Sequence, residues 1–126
     1  MNPKQEYKKL INSFKYAIEG IISSFKTERN MKIHVLAMSV VIAFGLFFKL
    51  NKIEWCFIII AIASVISAEL FNTAIETVVD MISPEKNPKA KLAKDIAAGA
   101  VLVMAIGSAI IGFIVFGPKV INLFLE

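Results

Sequence analysis

Cysteine, histidine and arginine each occur once in this chain of 126 residues. With Cys56 alone, no disulfide can close within the chain and no cage of thiolates can hold a metal. Arg29 stands against thirteen lysines. Arginine's planar fork is the usual reader of bases and phosphates, so its scarcity disfavours nucleic-acid binding. His34 has no second imidazole to share a zinc ion with, and reads as an interfacial polar residue. Charged residues make up only 19%, too few for a disordered chain. No phosphate-binding G-x-x-x-x-G-K-[ST] loop is present: Gly107 and Gly112 have the separation, but Phe113 follows. Any nucleotide site must be built differently. There is no internal repeat, low-complexity tract or soluble second domain.

Apolar residues are abundant. They reach 57%, before glycine is added, against the usual ~45–50% that includes it. Mean hydropathy is +0.71. A globule of this size has too little interior for that much apolar surface, so the composition points to a membrane. Three runs carry it. Ile33–Phe48 would span about 24 Å at the ~1.5 Å rise of a helix, and becomes adequate when extended through Met31 and Leu50. The second run starts at Trp55, is uncharged to Ala68, and continues in helical period to Val79. The third, Ile96–Phe116, has no charge and is followed by Gly117-Pro118, which reads as a helix stop. Transmembrane helices are expected over 31–50, 53–82 and 91–117, within a single domain of residues 1–126.

Seven cations precede the first run, with no small-residue cleavage site after it, so no secretory signal peptide is expected. In that leading segment Leu10, Phe14, Ala17, Ile18, Ile21, Ile22 and Phe25 recur at helical spacing among lysines. This describes a basic amphipathic helix over about 5–28, suited to an anionic membrane surface; a cytosolic helix packed on a partner would share the pattern. With the N-terminus in the cytoplasm, eleven cations face inward, and only Lys49, Lys52 and Lys119 face out. That is the positive-inside distribution of a multi-pass plasma-membrane protein.

The second run holds the most chemistry. Glu69, Asn72, Glu76 and Asp80 are spaced by 3, 4 and 4 and fall on one helix face. Even lenient insertion scales charge ~2.5–3.5 kcal/mol for one Asp at the bilayer centre, so the stripe needs partners or a purpose. A solvated helix end or a structural polar seam are the plain readings. Against the first, Leu70, Phe71, Ala74, Ile75, Val78 and Val79 keep the other faces apolar. By the charge count the stripe runs from the inner leaflet to the cytoplasmic boundary, where a lipid headgroup and a soluble molecule can meet. Glu28 and Arg29 lie at the same boundary, as do Lys91, Lys94 and Asp95, the last three backed by Ala97, Ala98, Gly99 and Ala100. Hard carboxylates suit Mg²⁺ and lysines suit phosphate, a combination that suggests a metal–nucleotide site. A small proton-coupled transporter is the alternative of another class. It wants a carboxylate near mid-bilayer, whereas these acids cluster at one edge.

The stretch ELFNTAIETVVD, Glu69 to Asp80, resembles the E-x-x-N-[ST]-A-[IV]-E-x-x-V-D signature of the prokaryotic diacylglycerol kinase and undecaprenol kinase family. AKDIAAGAV, Ala93 to Val101, resembles its second signature, and Tyr16, Gly20 and Glu28-Arg29-Asn30 match its N-terminal part. The resemblance covers nearly the whole chain in order. It implies an all-α membrane protein with an N-terminal surface helix and three transmembrane helices, working as a homotrimer. It also implies Mg²⁺-dependent transfer of the ATP γ-phosphoryl group to a lipid hydroxyl. Carried over by position, Glu69 is the general base, and with Asn72 it meets the lipid. Glu28 and Glu76 hold the metal. Tyr16, Glu28, Glu76, Glu85, Lys86, Asn87, Lys94 and Asp95 line the nucleotide site. The Glu-Arg-Asn at 28–30, the Ile33-His34 pair and the lysine bias look like Gram-positive members, so undecaprenol is the expected acceptor and diacylglycerol the alternative.

Overall fold

The computed structural model describes residues 1–126 and contains four α-helices: α1 (Pro3–Thr27), α2 (Arg29–Phe47), α3 (Lys52–Ile82) and α4 (Pro88–Leu125). The last three are long and apolar enough to cross a membrane. Local chemistry sets their starts. Asn2 accepts from the Lys4 backbone N–H and Gln5 reaches back to Asn2, a reciprocal cap with Pro3 in the first turn. Asn51 and Glu54 repeat this at the start of α3. Asn87 caps α4 by accepting from the N–H groups of Lys89 and Ala90, again with proline following.

Helix α1 passes into α2 through one extended residue, Glu28 (φ −91°, ψ 121°), whose N–H still bonds Ser24 O at 3.0 Å. The buried side chains at this corner are Ser24 and Met31. Elsewhere α1 leaves Leu10, Phe14 and Ile18 more than half exposed. Between α2 and α3 the chain turns through Lys49, whose φ of 51° is left-handed. That reversal lets the Leu50 N–H reach Gly45 O at 3.1 Å and closes the helix end. It also turns Leu50 inward, onto Ile58 and Val115, with Val41, Trp55, Ile62, Ile111 and Phe116 around them.

Helices α3 and α4 form the main antiparallel pair. Ser108 Oγ donates to Ala61 O at 3.1 Å near their middle. Lys119 pairs with Glu54 at 2.9 Å at one end, and Lys94 pairs with Asp80 at the other. Phe116 on α4 meets Phe44 and Phe48 at the end of α2. Only 11 of 126 residues are buried, so most of the apolar span surface needs lipid or another protein surface to cover it.

One expectation fails. Gly117-Pro118 does not stop the third span: Pro118 lies inside α4, which continues to Leu125. Proline there forfeits one backbone donor. Nothing crowds this part of α4, with no atom within 4 Å of where a Gly117 Cβ would be, and the Lys119–Glu54 pair fastens the next turn to α3. The first span is shifted from the expected 31–50: α2 starts earlier, at Arg29, and ends at Phe47, before the left-handed Lys49.

Candidate active site

The polar stripe of α3 faces into the protein at its middle and leaves it at its end. Glu69 is 2% exposed and Asn72 4%; Glu76 is half-buried and Asp80 exposed. The four residues thus grade from interior to surface along some 16 Å of helix, at ~1.5 Å per residue. Asn72 Nδ2 donates to Glu76 Oε1 at 3.3 Å, one turn away. Asn72 Oδ1 and Glu69 Oε2 are both buried without a hydrogen-bond partner. Unpaired buried acceptors are uncommon, and two on consecutive turns of one face mark a place where a donor is expected.

Two further elements close on Glu69. The corner between α1 and α2 brings Glu28, and the Glu28 and Glu76 carboxylates both lie within electrostatic reach of Glu69. From α2, His34 Nε2 stands 3.5 Å from Glu69 Oε2, beyond a good hydrogen bond. His34 was expected to be a plain interfacial residue; instead it is the side chain facing the most buried acid. The signal for it is its uniqueness as the one ionisable group within the first apolar run, because buried carboxylates in membranes seek such partners. His34 also lines a cavity of about 280 Å³ between α2, α3 and α4, walled by Val41, Ile62, Ile66 and Ala105 among others.

The surface end of the stripe meets the α3–α4 loop. Asp80, Glu85, Lys86, Asn87, Lys91 and Lys94 share a groove of about 780 Å³. Its lysines are partly engaged: Lys94 with Asp80, and Lys91 with Asp95 at 2.5 Å. Asn87 Oδ1 is occupied in capping α4. Tyr16 stands 63% exposed on α1, and no contact brings it to the groove. Of the residues singled out in the sequence, Glu28, Glu69, Asn72 and Glu76 gather at one place. Glu85, Lys86, Asn87 and Lys94 gather beside it, with Asp95 joined to them through Lys91.

No three acids or imidazoles lie close enough to enclose a metal ion. Mg²⁺ does not need three: it commonly takes one or two carboxylates and completes its shell with phosphate oxygens and water. Glu28 and Glu76 each offer a hard carboxylate of the kind that fits that habit. The arrangement is a buried acid in the interior, further carboxylates toward the helix end, and a lysine-bearing groove at the surface.

Comparison with known proteins relates the sequence of this chain to lipid kinases. The family model for prokaryotic diacylglycerol kinase matches residues 15–116. The undecaprenol kinase of Bacillus subtilis (strain 168) is 44% identical over 116 residues, covering 92% of this chain and 94% of that protein. A diacylglycerol kinase of Synechocystis sp. is 37% identical over 115 residues, covering 90% and 66%. That of Haemophilus influenzae is 35% identical over 94 residues, covering 75% and 80%.

Proposed function

We propose, for a chain that belongs to the prokaryotic diacylglycerol kinase family, that it phosphorylates undecaprenol at the cytoplasmic face of a bacterial membrane, using ATP and Mg²⁺. The observation that carries this reading is the depth order on α3: buried Glu69, then Asn72, then Glu76 at the margin. A lipid alcohol meets the first and a nucleotide phosphate the last. Glu69 and Glu76 are two turns apart, about 10 Å along the axis, which leaves room between them for a transferring phosphoryl group.

Phosphoryl transfer asks the protein mainly for positioning and charge neutralisation. Glu69 accepts the proton of the lipid hydroxyl as its oxygen bonds to the γ-phosphorus. The bond from that phosphorus to the β,γ-bridging oxygen breaks, and its electron pair leaves on ADP. Asn72 holds Glu76 in place from Nδ2, and its free Oδ1 receives the hydroxyl of the incoming lipid before Glu69 takes the proton. Glu28 and Glu76 would hold Mg²⁺, which supplies charge neutralisation at the phosphates. Lys94, with the 85–87 loop, receives the nucleotide. The apolar residues of α1 rest on the inner leaflet with the N-terminus in the cytoplasm. The uncovered faces of α3 and α4 pack in a homotrimer, enclosing a site that three helices alone leave open.

Undecaprenol as acceptor is supported by the 44% identity to an undecaprenol kinase along almost its full length. The test is direct. Purified protein in detergent receives labelled ATP with undecaprenol or with diacylglycerol. Faster labelling of undecaprenol is expected. Preference for diacylglycerol would reassign the acceptor, and labelling of neither would overturn the kinase reading.

A further inference from the structure

We propose that His34 is the positioning residue of the phosphoryl-transfer reaction, acting through Glu69. The inference rests on Glu69 being the base, as proposed above. Its own support is geometric. Glu69 is 2% exposed, and one of its oxygens, Oε2, has no hydrogen bond. The only side-chain nitrogen paired with that oxygen is His34 Nε2, at 3.5 Å and from a different helix. The gap is a few tenths of an ångström too long for an N–H···O bond, and a small rotation of the half-buried imidazole closes it. The bond so made fixes the carboxyl plane. It also occupies Oε2 and leaves Oε1 as the oxygen that takes the lipid proton.

A free carboxylate could rotate about its terminal torsion, which is broad and two-fold. In an apolar surround it could equally turn its charge toward Glu28 or Glu76 ligands instead of the alcohol. A donor fixed on α2 removes those choices. His34 also lines the cavity between α2, α3 and α4, so the imidazole has room to turn toward Glu69 without being required to touch ATP. The effect belongs to Nε2 in particular: glutamine places an N–H donor at the same reach, whereas asparagine stops one bond short, and leucine has none.

The experiment measures turnover of undecaprenol by purified protein in detergent, with ATP and Mg²⁺ at saturation and in titration. H34L and H34N should each lose about 10- to 100-fold in kcat, the range for one lost positioning contact to a catalytic group, with the ATP KM unchanged. H34Q should stay within about 3-fold of the parent. The decisive arm is the pair with E69Q. If His34 acts through Glu69, adding H34L to E69Q costs nothing further, whereas a structural role for His34 lowers both backgrounds alike. Equal losses in both backgrounds, or parental kcat in H34L, would overturn the proposal while leaving Glu69 as the base. A fully active E69Q would instead overturn the base assignment on which it rests. Should H34L not assemble, H34N against H34Q decides, since both keep a polar amide and differ only in where the donor lies.

Discussion

Lys94 of α4 forms an ion pair with Asp80 of α3, and the two residues share a groove with Glu85, Lys86 and Lys91. The pair does two things. It ties the membrane-surface ends of the two longest helices together, opposite the Lys119–Glu54 tie at the other end. It also stores a cation next to the site with its charge already matched. An exposed pair of this kind contributes little to stability. Its lysine can therefore exchange a carboxylate for a phosphate at small cost.

Lys94→Ala should accordingly weaken ATP binding more than it weakens the fold. A hydrogen bond to a charged group is worth about 1.5–3 kcal/mol, so the ATP KM is expected to rise by roughly one to two orders of magnitude with kcat falling far less. The thermal midpoint in detergent should move little. An unchanged ATP KM would remove Lys94 from the nucleotide site.

The spans and the stripe are readable because both are local signals. Hydropathy along Ile33–Phe48, Trp55–Ala68 and Ile96–Phe116 follows local composition, and the 3-4-4 spacing of the four polar residues places them on one face whatever the helix packs against. What was not readable is long-range. Nothing local to His34 connects it to Glu69, thirty-five positions on; only the packing of α2 on α3 does. The pairing of Lys94 with Asp80 is hidden likewise, because the two lie on different helices and only the packing of α4 on α3 joins them. Gly117-Pro118 misled for the opposite reason. Its local signal is strong, but a helix can lose one backbone bond when the next turn is anchored elsewhere, as Lys119 is on Glu54.

Pro118→Ala therefore tests that anchoring. Proline inside a helix costs about 3 kcal/mol relative to alanine, and Pro118 lies exposed, so trimming its ring to a methyl opens no cavity and restores a backbone N–H donor. The variant should melt at a higher temperature in detergent and keep parental turnover, because the site is at the other end of α3 and α4. A lower midpoint would mean that the proline itself is needed there for packing.

Gly45 makes the converse case. A Cβ there would sit 2.6 Å from Trp55 Cη2, 3.0 Å from Cζ2 and 3.2 Å from Leu50 Cδ1. The indole is a rigid ring at the start of α3, so it cannot yield as a flexible chain end would. Overpacking of this kind costs about 1–3 kcal/mol. Gly45→Ala should lower the midpoint, and Trp55→Phe in the same chain should recover part of the loss, since the two changes share one contact. Fully additive losses would show that the ring is not the obstacle.

The carboxylates of Glu69 and Glu76 differ in burial and in neighbours, so their amide variants should fail in different ways. Glu76→Gln removes a hard anionic ligand and keeps the Asn72 contact nearly intact. Activity should then require more Mg²⁺ and recover poorly at any concentration, because a neutral amide binds a hard cation weakly. Glu28→Gln should show the same magnesium dependence. Glu69→Gln should leave magnesium dependence and ATP KM alone and lower kcat by about 10²–10⁴-fold, the usual worth of a general base. Assembly should survive the change, since the amide is nearly isosteric and removes a buried charge. The discriminating measurement is kcat against Mg²⁺ concentration for the three variants side by side. Parallel displacement of all three curves would place Glu69 among the metal ligands and leave the base to be found elsewhere. A curve for Glu69→Gln that is flattened in height but not shifted along the magnesium axis would separate the acid that takes the proton from the acids that hold the ion.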